Sequence, residues 1–145
     1  MQAWPGHVTK GGLPAATRQG IVTGMDDQWL IVATVRDYWE GWFDGDAERM
    51  ARALHPDLVK RGAAIDGTPG KLTGVMTADD MTVWTRAGEG IATRPVDAAY
   101  DVTVDDVHDQ IATVTVRSAI YREYLHLVKT TDGWRILNAL YMNVS

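Results

Sequence analysis

GWFDGDAERMARALHPDLVKR, residues 41–61, is the stretch on which the fold turns. A helix reaches Asp44, Gly45 breaks it, and Asp46 is placed to cap the next one by accepting from its free N–H groups. Ala47, Met50, Ala51 and Leu54 then fall on one helical face. Pro56 forbids helix at His55, because the residue before a proline is pushed to extended backbone. Leu58 to Ile65 therefore reads as a strand, Asp66 to Gly70 as a turn and Lys71 to Met76 as its return.

Working back towards the N-terminus, Asp26 or Asp27 is positioned to start the helix that ends at Asp44. Ile31, Val35, Tyr38 and Trp42 form one stripe along it, and Val32, Trp39 and Phe43 a second, so the helix must be covered on most sides. Residues 1–24 hold five glycines and two prolines without a sustained period, which reads as a flexible arm. Met25 stands directly before the helix as an alternative start, leaving 25–145 as the single folded domain.

Working forward, Thr77 and Asp80 form a capping-box start to a third helix, with Gly88 and Gly90 beyond its end. After Val96 the pattern is all strand. Ala98–Val107, Ile111–Val116, Tyr121–Lys129 and Trp134–Met142 are separated by turn residues, among them the hairpin signal Asp132-Gly133. Helices early and an antiparallel meander late predict an α+β fold with the helices on one face of a curved sheet.

Composition narrows the function classes. The 145 residues carry 19 acidic and 14 basic side chains, a net charge of −5 that argues against a surface tracking nucleic-acid phosphates. The absence of cysteine excludes disulfides, thiolate nucleophiles and cysteine metal sites, and it suits a cytoplasmic protein. The strongest apolar run, Trp29 to Val35, is too short to span a membrane. No pair of histidines has metal-ligand spacing, so neither a metal nor a cofactor is expected. Gly11-Gly12 and Gly88-x-Gly90 lack the strand-to-helix context of a phosphate loop.

The order of elements resembles the NTF2-like superfamily, whose sheet folds into a cone around the first helix, over residues 27–143. Within it, residues 41–61 together with YLHLVKTTDGWRILNALY, residues 124–141, are similar to the putative lumazine-binding branch. The resemblance implies an internal pocket. It also allows comparison with the ketosteroid isomerase relatives, which carry an oxyanion-donating tyrosine eight residues before the Gly-Asp junction's Asp. Tyr38 stands eight before Asp46 and matches. Their general base, sixteen residues after that Asp, falls here on Gly62, which has no side chain to abstract a proton.

The expected ligand-lining residues are Tyr38, Trp42, His55, Trp84 and Asn138. Asn138 interrupts the apolar face Trp134, Ile136, Leu140 and Met142, so its amide serves either a core partner such as Tyr38 or a cavity. His55 sits at the helix-to-strand corner, where an imidazole can act as acid or base or simply bond Asp57. On the neighbouring strand Tyr124, His126 and Val128 oppose Leu125 and Leu127, and only the register decides which set looks inward. Lys60-Arg61 is a basic pair on a strand edge or at a pocket mouth. Three functions fit this pattern: first a binding module for a planar, mostly apolar molecule, next an acid–base enzyme using Tyr38 and His55, and then a scaffold. Apolar residues on both faces of the sheet add the expectation of a homodimer through its outer face.

Overall fold

The computed structural model describes residues 21–144, and its first helix, α1, spans Ile21–Asp44. Both apolar stripes are covered: Ile31, Val32, Val35, Tyr38, Trp39 and Phe43 are buried. The helix begins ahead of the aspartates expected to cap it, within the last residues of the stretch read as an arm; residues 1–20 lie outside the described residues. Asp27 has a different task from capping. The Trp134 indole N–H donates to its Oδ1 at 3.1 Å, and Lys129 Nζ lies 3.0 Å away, tying α1 to the sheet.

Gly45, at φ +71°, turns the chain into α2 (Ala47–Ala53), which Asp46 caps by accepting from the Arg49 N–H at 3.1 Å. Charge fastens the joint between the two helices. Arg49 lies 2.9 Å from Asp37 and 3.1 Å from Glu40, and Arg52 lies 3.0 Å from Asp37. Burial pushes both carboxyls up, but hydrogen bonds from Arg52 and Arg49 on Asp37, and from Tyr100, Arg36 and Arg49 on Glu40, outweigh it. Both end below the ordinary range.

Strand β1 runs Leu54–Gly62, earlier at both ends than the expected 58–65, because left-handed backbone at Ala64 and Asp66 stops it. The return from Lys71 to Met76 is not a full strand; it makes two isolated bridges, Lys60–Met76 on β1 and Ala63–Leu72 just past its end. Helix α3 (Ala78–Arg86) has the expected capping box on Thr77 and Asp80. Helix α4 (Glu89–Ala92) packs so closely on α1 that a Cβ at Gly90 would sit 2.0 Å from the Trp42 carbonyl oxygen.

The meander continues as β2 (Tyr100–His108), β3 (Ile111–Ser118), β4 (Tyr121–Thr130) and β5 (Gly133–Asn143). The sheet order is β1-β5-β4-β3-β2, antiparallel except for the parallel β1–β5 pair. The α+β expectation holds. The antiparallel pairs carry two register shifts that set which side chains point inward, one in β2 at Asp105 and one in β5 at Leu137, and the parallel β1–β5 pair a third between Leu54 and Val59. A bulge adds one residue to one strand, bends it and reverses which side chains face the core.

Candidate functional site

Inward-facing side chains of α1, α3, β1, β4 and β5 line a cavity of about 90 Å³. Its walls are Trp42 and Phe43 from α1, Met81 and Trp84 from α3, and Met76 from the preceding loop. Its polar end is Tyr38, Lys60, Tyr121, Glu123 and Tyr141. Trp39 closes the base, stacked on Tyr100 at 5.5 Å between ring centroids and edge-on to Tyr121 at 6.2 Å.

The polar end is one connected cluster. The Tyr38 hydroxyl donates to Glu123 Oε2 at 2.7 Å and accepts from Lys60 Nζ. Lys60 Nζ is also 3.3 Å from Glu123 Oε2, closing a triangle. The same ammonium lies 4.9 Å from the Tyr38 ring centroid and 5.0 Å from that of Tyr141, close enough for cation–π attraction to both. Only 2% of the Glu123 side chain and 12% of that of Lys60 reach solvent. Burying an isolated carboxylate costs several kcal/mol, so the lysine on the next strand but one is what makes Glu123 tolerable there. Burial first, and the Glu123 charge second, push the Tyr38 hydroxyl well above its ordinary pKa. Burial raises Tyr121 and Tyr141 in the same direction. All three phenols stay neutral and keep their protons for hydrogen bonding.

The expected site residues fare differently. Tyr38, Trp42 and Trp84 meet in the cavity. Asn138 does not. The bulge at Leu137 pairs Leu127 with Ile136 but His126 with Asn138, so the face reverses after Ile136. Trp134 and Ile136 are buried, Asn138 is exposed, and Ala139 and Tyr141 turn inward in its place. Asn138 sits instead beside His126, its amide nitrogen 3.2 Å from His126 Nδ1, along an outer groove of about 350 Å³. Tyr38 has its core partner, but that partner is Glu123. His55 is also outside the cavity: its Nδ1 accepts the Asp57 backbone N–H at 3.0 Å, which pins the corner between α2 and β1. The pairing of Tyr38 with His55 for acid–base work is therefore not formed.

Glu123 escaped the sequence reading, although a signal was there. It stands two residues before Leu125 and four before Leu127, in phase with the buried side of β4. A carboxylate in phase with buried leucines needs a cation, and Lys60, in phase with buried Leu58, provides it. Arg61 next to it faces solvent. Among the described residues no group of three metal-ligating side chains converges. No described helix is long and apolar enough to cross a membrane.

Residues 25–142 match the family model described as "Putative lumazine-binding". The chain belongs to that family. No curated protein matches. Among solved structures this family member is similar to an NTF2-like protein of unknown function from Shewanella baltica, with a TM-score of 0.63 at 16% identity over 83% of this chain and 96% of that one. It is similar too to an NTF-2-like protein of unknown function from Silicibacter pomeroyi, with a TM-score of 0.61 at 15% identity over 83% and 98%. A ketosteroid isomerase-like protein from Erwinia carotovora gives 0.56 at 20% identity over 80% and 95%. These likenesses establish the NTF2-like fold. Within it, the place that resemblance assigns to a general base is filled. A Cβ on Gly62 would lie 2.6 Å from Tyr141 Cζ, so the Tyr141 ring occupies the space a side chain at Gly62 would need.

Proposed function

We propose that this member of the putative lumazine-binding family binds a small, planar, mostly apolar molecule in the cavity beneath α3. The observation that carries this reading is the joining of an aromatic wall, Trp42, Phe43 and Trp84, to a buried polar cluster within one cavity. Sites for small ligands have this make-up: apolar area for affinity and a few fixed polar groups for orientation. The family description names lumazine, a fused two-ring heterocycle, and so supports a flat ligand. Size sets a condition. A cavity of about 150 Å³ admits benzene, and the 90 Å³ here is smaller. Trp84 and Met76, both only partly buried, must swing outward to admit two rings. The lack of cysteine fits a working place in the reducing cytoplasm.

Tryptophan fluorescence tests the proposal. Titration of the full chain with lumazine and with steroid-like compounds is expected to give a saturable change for at least one class. Trp84→Ala, which removes part of the aromatic wall, should weaken that binding. A panel that leaves the fluorescence untouched refutes the reading and favours a scaffold whose cone is filled by its own side chains.

One observation favours acid–base chemistry as a second reading: the Glu123 carboxylate is 2.7 Å from the Tyr38 oxygen inside the cone. A carboxylate and a neutral phenol side by side can move a proton to or from a bound carbonyl compound. Deuterium exchange at the carbon next to the carbonyl of a bound ketone, monitored by NMR and lost in Glu123→Gln, would support it. Exchange no faster than in buffer would sink it.

A further inference from the structure

The hydrogen-bonding capacity of the polar cluster is unevenly used. The Tyr38 hydroxyl and the nearest Lys60 contact both fall on Glu123 Oε2. Among the described residues nothing donates to Oε1, although Glu123 is almost wholly buried. Glu123 lines the cavity, and a carboxylate oxygen there without a protein donor is free to accept a hydrogen bond from a ligand. Lys60, by contrast, is fully engaged, with the Tyr38 oxygen, Glu123 Oε2 and two aromatic faces. Its charge is already spent on Glu123. The cavity therefore offers an unmet acceptor and no free cation. Tyr121 and Tyr141, whose hydroxyls make no hydrogen bond among the described residues, line the same cavity.

From this we infer that the cavity selects a neutral ring carrying a hydrogen-bond donor, a phenol-type hydroxyl or a ring N–H, that donates to Glu123 Oε1 while the ring lies against Trp42 and Trp84. The inference rests on the proposed binding function and adds the chemistry of the ligand to it. Ligand carboxylates are excluded on charge, because they would meet Glu123 with no cation left to compensate. Purely apolar rings would fit the walls but leave Oε1 unsatisfied. The volume favours one ring over two, since a single ring needs only a small outward movement of Trp84.

Three probes of nearly equal size separate the outcomes: phenol, which donates; anisole, its methyl ether, which cannot; and benzoate, an anion. Binding to the full chain is measured by tryptophan fluorescence and by ligand-observed NMR. Phenol is expected to bind roughly tenfold or more tightly than anisole, the usual worth of a hydrogen bond to a charged acceptor, and benzoate not at all. In Glu123→Gln the advantage of phenol over anisole should shrink towards unity. If that variant does not fold, the comparison of probes on the wild-type chain still decides. Equal binding of phenol and anisole, or tighter binding of benzoate, overturns the donor inference and leaves the pocket standing. Failure of all three to bind overturns this inference as well, and the proposed binding function is then decided separately by the titration with lumazine and steroid-like compounds.

Discussion

Replacing Tyr38 by Phe removes one oxygen from the centre of the polar cluster and little else, since the ring keeps its place between Trp39 and Lys60. The hydroxyl donates to the buried carboxyl group of Glu123 at 2.7 Å, beside the Lys60 ammonium. Hydrogen bonds to charged groups contribute about 1.5–3 kcal/mol. Lys60 can move closer to Glu123 from its present 3.3 Å and recover part of this, which places the expected loss near 2 kcal/mol. For a domain of this size that corresponds to a drop in Tm of roughly 5–10 °C. Urea denaturation monitored by circular dichroism measures it, with Tyr121→Phe as the control. The Tyr121 ring belongs to the same cluster, but its hydroxyl has no partner among the described residues. Its loss should change stability by less than about 0.5 kcal/mol. A double-mutant cycle with Glu123→Gln should then show coupling on the order of 1 kcal/mol or more. If Tyr38→Phe is neutral, or no worse than Tyr121→Phe, the cluster is not an energetic unit and the reasoning fails.

Gly62→Ala places a methyl 2.6 Å from Tyr141 Cζ and should cost about 1–3 kcal/mol by overpacking; in a Tyr141→Ala background most of that cost should vanish, and an unchanged cost there would refute the steric cause. Arg49→Met should cost about 1 kcal/mol at pH 7, because Asp37 and Glu40 are held below their ordinary pKa and stabilise the fold only while ionised. Their contribution is present above about pH 4 and is lost as pH falls through the depressed folded values, so the deficit of Arg49→Met should shrink between about pH 4 and pH 2; a pH-independent deficit contradicts this. Tyr124, Leu140 and Met142 lie together on the outer face of the sheet, each about half exposed. A homodimer is the expected outcome at micromolar concentration by light scattering, and Leu140→Glu should shift it towards monomer; a stable wild-type monomer excludes it.

How legible this protein was from its sequence varies with the physics involved. The capped junction at Asp46 and the box at Thr77 obey local rules of backbone chemistry and appear where those rules put them, while the long helix ends at Asp44 as its periodicity predicts but starts at Ile21, ahead of the expected cap. The strands of the meander fall within a few residues of their expected ends because turn residues mark them. Facing was harder. Alternation along β5 carries no sign of the bulge at Leu137, which arises where Ile136 and Asn138 pair with adjacent residues of β4. A single inserted residue moved Asn138 out of the candidate site and Tyr141 into it. The cluster of Lys60, Tyr38 and Glu123 draws on three elements far apart in sequence. Each residue alone has an ordinary explanation, a strand-edge lysine, a core tyrosine or a surface glutamate, and only the register unites them.

Where a ligand lands on the folded chain is the most direct test of the central claim. Two-dimensional ¹H–¹⁵N spectra of the labelled protein, titrated with phenol and then with lumazine, report every backbone amide and every tryptophan indole at once. Binding in the cavity predicts saturable shifts of the Trp42 and Trp84 indole signals and of the amides of Lys60, Glu123 and Tyr141, with Thr113, His126 and Asn138 on the outer face unmoved. Shifts confined to that outer groove, or none anywhere at millimolar ligand, would contradict it.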